Sequence, residues 1–240
     1  MSYYGDYNYV TAGEREAKRQ KSIEKLRKKN PDIKPVIITG RKIVRTWWGK
    51  AWIDNLSRYS DYSNRLGRGS SYVRQGAVLD LGITPGKITA LVQGSRATPY
   101  KVEITITSLA PDIWKNITEI CRGKIESLQE LIEGKFPESL GDLFTTVNKG
   151  LFPSPKDISL VCNCPDWAVM CKHVAAVLYG VGSRMDDDPS LFFLLRNVRI
   201  DDLISKTVTE KSEKLIKKSD AKSSRVIDDD ISEVFGIDTK

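Results

Sequence analysis

Histidine is almost missing from this sequence, with one in 240 residues, and cysteine is sparse at four. A lone histidine leaves little room for imidazole-based acid–base chemistry. The cysteines, one isolated at Cys121 and three crowded together, do not form the spaced framework of a disulfide-stapled secreted domain. Nowhere do eighteen apolar residues run together, and the opening MSYYGDYNYV lacks the basic-then-apolar layout of a secretory leader. A soluble, cytoplasmic protein is therefore expected. There is no G-x-x-x-x-G-K-[ST] phosphate loop, the nearest stretch being GITPGKIT with the wrong spacing, and no H-E-x-x-H. Acids at 186–188 and 228–230 are runs of neighbours that suit helix caps and solvated tails better than an opposed catalytic pair. Together these absences argue against an enzyme.

What is present begins with charge. The formal net charge is +7, but residues 1–100 carry 19 Lys or Arg against 8 Asp or Glu, so the basicity is concentrated in the first half. A polyanion such as nucleic acid suits that half, although such a field also serves solubility. The Tyr-rich start and the basic helix expected over roughly Glu14–Lys29, stopped by Asn30-Pro31, form an N-terminal extension, 1–34, that is read as mobile or ordered by docking on a partner.

The fold class expected is α+β. A β-rich basic domain spans 35–108: PVIITG as a short strand, a helix placing Trp48 and Trp52 on one face as core anchors, then an antiparallel meander around a Pro85-Gly86 turn. Between helix and meander, YSDYSNRLGRGSSYVRQG reads as a loop in which Arg58, Arg65, Arg68 and Arg74 interleave with Tyr59, Tyr62 and Tyr72. Forked donors and aromatic faces make it either a nucleic-acid segment or a solvated basic loop. Arg96 and Lys101, on outward strand positions, would extend that basic face.

A helical segment, 109–157, follows, with Cys121 as a small buried apolar residue. The next module, 158–204, contains LVCNCPDWAVMCKHVAAVLYG. Here Cys162-x-Cys164, six residues, then Cys171-x-His173 supply three thiolates and one imidazole, the ligand set of a closed tetrahedral zinc site. Four protein ligands leave no open position, so zinc would be architectural, and Lys172 would offset part of the cluster's negative charge. A linker and acidic peptide, 205–240, close the chain, with Ile231, Val234, Phe235 and Ile237 either docking on a partner or fraying.

The C-x-C, x6, C-x-H arrangement before an apolar helix resembles the SWIM zinc finger. TWWGKAWID, RLGRGSSYVRQGAV and VQGSRATPYKVEI also resemble stretches of prokaryotic SWIM proteins, so that the likeness covers roughly residues 41–200. The resemblance implies that Cys162, Cys164, Cys171 and His173 are zinc ligands. It further implies DNA binding or protein interaction, and a SNF2-type helicase-like ATPase as partner. The expected function is thus a non-enzymatic accessory protein binding nucleic acid, DNA favoured over RNA, with a purely protein-interacting adaptor as the alternative.

Overall fold

The computed structural model describes residues 11–58, 63–121, 140–146 and 149–202. Tyr59, Tyr62 and the apolar residues of 231–237 lie outside them, as does the helical stretch expected at KIESLQELIEG. The fold is α+β: a four-stranded antiparallel sheet, β1 (Val78–Thr84), β2 (Lys87–Val92), β3 (Tyr100–Ile106) and β4 (Ile158–Cys162), in that spatial order. Around it lie α1 (Ala12–Arg27), α2 (Trp47–Ser57), α3 (Ser63–Arg74), α4 (Pro111–Cys121), α5 (Gly141–Thr145), α6 (Lys172–Asp187) and α7 (Leu191–Leu195). Among the described residues no helix is long and apolar enough to cross a membrane.

The expected meander is there. Thr84 pairs with Lys87 across Pro85-Gly86, and β2 runs back along β3 from Val92–Tyr100 to Lys87–Thr105. Strict alternation on β3 sends Tyr100, Val102, Ile104 and Ile106 inward and Lys101, Glu103 and Thr105 to solvent. The fourth strand is a finding beyond the sequence reading. ISLVC pairs with β3 so that Val102 faces Cys162 and Ile106 faces Ile158, which brings the first cysteine of the motif onto the sheet itself.

Helix α6 packs on the sheet, and α2 and α3 pack on α6. Ten of its sixteen residues are buried, as befits a central helix with apolar side chains nearly all round. One hydrophobic cluster takes side chains from Val36 to Leu195, drawing on all three segments 35–108, 109–157 and 158–204. The tryptophans of α2 are core anchors: Trp52 is 1% exposed and donates from Nε1 to the Leu178 carbonyl at 3.1 Å, and Trp48 donates to that of Met185 at 2.8 Å. Cys121 is buried, as expected of a small apolar residue.

Three expectations need correction. The stretch read as an Arg-rich loop is, from Ser63, helix α3, and its Gly69 serves packing. A Cβ on Gly69 would lie 2.5 Å from the Ala175 Cβ, so glycine is what lets α3 approach α6 this closely. PVIITG forms no strand of its own, yet Val36 donates to Val78 and Leu81 donates to Lys34, both at 3.0 Å, adding a short length of pairing outside β1. Helix α1, opened by a Thr11–Glu14 capping box, does not wait for a partner: it docks on its own chain through Lys18 Nζ to the Ser95 carbonyl and Ser22 Oγ to Gln93 Oε1, both 2.8 Å.

Candidate metal centre and its basic flank

Each ligand of the motif is set by a different local element. Cys162 ends β4. Asn163 continues the pairing by one residue, donating to the Lys101 carbonyl and accepting from the Lys101 amide at 2.9 Å, so the chain turns away only at Cys164-Pro165. The loop that follows alternates: Trp167 and Val169 face solvent at 78% and 66% exposure, while Ala168 and Met170 are buried. Its path is tied by Asp166, which accepts from the Ala168 amide and pairs with Arg65 of α3 at 3.0 Å. Cys171 then caps the N-terminus of α6, and His173 lies in its first turn, 2% exposed.

The ligand atoms of Cys162, Cys164, Cys171 and His173 all lie within 4.8 Å of one another and can hold a metal ion. His173 turns Nδ1 toward the thiols, 3.8 Å from Cys171 Sγ and 4.0 Å from Cys162 Sγ. With metal bonds of about 2.3 Å to sulfur and about 2.0 Å to nitrogen, a tetrahedral site has S···N edges of about 3.5 Å. The observed spacings are close to those of such a cage, so the residues fit a zinc-like ion. The ring is fixed by packing: Tyr100 lies 4.4 Å away at a shallow tilt, and Tyr72 meets it edge-on at 5.5 Å. His173 Nε2 is buried and has no hydrogen-bond partner among the described residues. Aromatic walls thus hold this imidazole where other metal sites use an outer carboxylate.

One thiol of the set, Cys171, is already biased toward ionisation. Hydrogen bonding from Cys162 brings the Cys171 thiol down to about 4, with His173 and the Val174 amide pulling the same way, whereas that same bond and burial push Cys162 up. Cys171 is therefore the first thiolate of the set, placed where the positive end of a sixteen-residue helix favours negative charge.

The predicted nucleic-acid residues divide. Arg68 is exposed one turn before Tyr72 on α3, Lys172 lies over the Tyr72 ring at 5.7 Å, and Arg96 over the Tyr100 ring at 5.5 Å. These cations and rings stand together against the metal cluster. Arg65 does not join them as a free donor, because Asp166 pairs with it at 17% side-chain exposure. Arg74 bonds the Arg41 carbonyl, and Arg58 ends α2. Lys101 projects from the face of the sheet opposite Tyr100, among Thr89, Glu103 and Val161, so it extends no common face with Arg96. Sequence reasoning missed Asp186. It took the 186–188 run as suited to helix caps or solvated tails and named no buried member, but the Asp186 carboxylate is 1% exposed and accepts from the backbone amide and hydroxyl of Thr46 and the amide of Arg45.

Over 172 residues, 71% of this chain, the sequence is 36% identical to the uncharacterized protein Rv2102 of Mycobacterium tuberculosis (strain ATCC 25618 / H37Rv). The chain spans 62% of that protein's length, less than two thirds, and that protein's name specifies no activity. No protein-family model and no solved structure matches the chain significantly.

Proposed function

We propose that the chain is a non-enzymatic, zinc-holding accessory protein of the SWIM type that binds nucleic acid, DNA in preference to RNA, beside a SNF2-type helicase-like ATPase. One observation carries the nucleic-acid part of this reading: a Cys3His set and a cluster of cations and aromatic rings share the same two tyrosines, Tyr72 and Tyr100. Zinc held by Cys162, Cys164, Cys171 and His173 would supply a closed cross-link between the end of β4 and the start of α6. The chain's own residues do the binding. With His173 in place the two rings are positioned, and Arg68, Arg96 and Lys172 offer donors to phosphate around them. The ATPase partner follows from the resemblance of the motif and its flanks.

The test is metal analysis of the reduced, purified chain followed by DNA and RNA retention across a salt series. One zinc per chain is expected, with affinity falling steeply as salt rises, because phosphate contacts release counterions. Absence of metal rejects the zinc reading; absence of retention at low salt rejects the nucleic-acid reading. Deleting residues 226–240 should reduce recovery of an ATPase from extracts, and undiminished recovery removes the tail from that contact.

A second reading, a protein-interaction adaptor, is favoured by Trp167 and Val169 on the outside of the metal loop. Large exposed aromatics are the residues on which protein interfaces concentrate their affinity. Under it, Trp167→Ala abolishes partner capture while nucleic-acid retention stays at background in both forms.

A further inference from the structure

Between α1 and the metal side of the molecule lies a cleft of about 260 Å³. Arg15, Lys18 and Arg19 of α1 form one wall, Tyr72 of α3 and Gln75 just past its end the other, and Gln93, Gly94 and Ser95 close the end. Among the described residues no carboxylate lines it. Lys18 is held there by its bond to the Ser95 carbonyl, and Arg19 is buried and paired with Glu16. Arg15 is exposed and donates from Nε to the Thr11 carbonyl at 3.4 Å, one of its five N–H groups. Arg15 and Lys18 of α1 and the Tyr72 ring of α3 thus line the same cleft, and Lys172 lies over that ring as well.

Size and continuity narrow the ligand. Sites for whole small molecules usually enclose about 300–1,000 Å³. This cleft is smaller and suits a phosphate with its sugar better than a complete nucleotide cofactor. Positive charge also continues out of it, since Lys172 lies over the Tyr72 ring and Arg68 stands one turn earlier on α3. A lone anion has no use for such a line of cations, whereas a repeating phosphodiester does.

We propose that this cleft is a backbone-phosphate subsite for a nucleic-acid strand, completed by Arg15 and Lys18 of α1. The proposal rests on the nucleic-acid reading above and adds to it the helix that the motif's resemblance does not cover.

The experiment uses the full, zinc-loaded chain and fluorescence polarisation with short labelled single-stranded DNA, RNA of the same sequence, and the DNA duplex. Arg15→Gln should weaken binding of the preferred strand about tenfold and lower the slope of log affinity against log salt by about one. Arg15→Glu should weaken it further. Lys25→Gln, an equal loss of charge on α1 away from the cleft, should change affinity less than twofold, roughly the share of a diffuse charge. Because Lys18 also anchors the helix, Lys18→Ala is read only beside an unchanged far-ultraviolet spectrum, and it too should weaken binding. Equal effects of Arg15→Gln and Lys25→Gln, or an unchanged slope, overturn the subsite while leaving nucleic-acid binding intact. If the unaltered chain binds none of the three probes, the broader reading falls with it.

Discussion

Helix α6 is held at its two ends by different chemistry. At its start, three thiols and an imidazole converge on a space that fits one ion, and at its end the Asp186 carboxylate accepts from the amides of Arg45 and Thr46 and caps the entry to α2. With an ion bound, as proposed above, the first anchor would depend on that ion and on the ionisation of its ligands, whereas the second is built from the chain alone. A cross-link of the first kind can be removed in solution without changing a residue. The second yields only to mutation.

Metal removal should therefore have the largest effect. Structural zinc contributes apparent binding energies on the order of 10 kcal/mol, against whole-domain stabilities of about 5–15 kcal/mol. A strong chelator acting on the reduced chain should abolish the cooperative thermal transition, and re-addition of zinc should restore it. A melting curve indifferent to the chelator contradicts an architectural metal. Acid should act in the same direction. Because the folded Cys171 thiol titrates at about 4, below its unfolded value, its contribution is complete above the ordinary thiol range and is lost as pH falls through about 4.

The carboxylate end should come next. Asp186→Ala leaves the Thr46 and Arg45 amides without their acceptor inside the fold, a loss of about 3 kcal/mol. For a chain of this size each kcal/mol moves the midpoint by about 2–4 °C, so a fall of roughly 10 °C is expected. Zinc content should stay the same, which separates the two anchors. If Asp186→Ala releases metal as readily as it lowers the midpoint, the ends are not independent.

How legible these anchors were follows from the range of their contacts. The ligand set could be read because C-x-C and C-x-H put like chemistry at short separations, and spacing alone announces it. Asp186 could not, because its partners lie 140 and 141 residues earlier and nothing in DDD distinguishes the buried member from its exposed neighbours. The same holds for β4: ISLVC is five residues long, and its partner strand begins more than fifty residues before it. Helix α3 was missed for a different reason. Gly67, Gly69 and a run of serines oppose helix formation locally, and tertiary packing against α6 overrides that preference. The meander, by contrast, was visible because alternation and a two-residue turn are local signals.

The contact of α3 with the first turn of α6 gives the next test. At Gly69 an added methyl meets the Ala175 side chain at 2.5 Å and its backbone at 3.0 Å, so α3 must shift away. Overpacking of this kind costs about 1–3 kcal/mol, from which the better helix propensity of alanine returns somewhat under 1 kcal/mol. Gly69→Ala should thus be destabilising by about 1–2 kcal/mol in urea titration, and Gly69→Val by more. A stabilised Gly69→Ala would mean that the α3–α6 approach is looser than the structure has it.

The smallest effect belongs to the pair joining α3 to the metal loop. Arg65 and Asp166 are 3.0 Å apart with side chains 17% and 12% exposed, so solvent screens them less than a surface pair, yet neither is fully desolvated. Their coupling should be about 1 kcal/mol in a double-mutant cycle of Arg65→Ala and Asp166→Ala, near the upper end for exposed pairs. Because Arg65 is engaged in this way, its removal should leave the salt slope of nucleic-acid binding unaltered, whereas Arg68→Ala, on the same helix but exposed, should lower it by about one. Equal slopes for the two variants would place phosphate at both arginines and take Asp166 out of the account of why one is a strut and the other a donor.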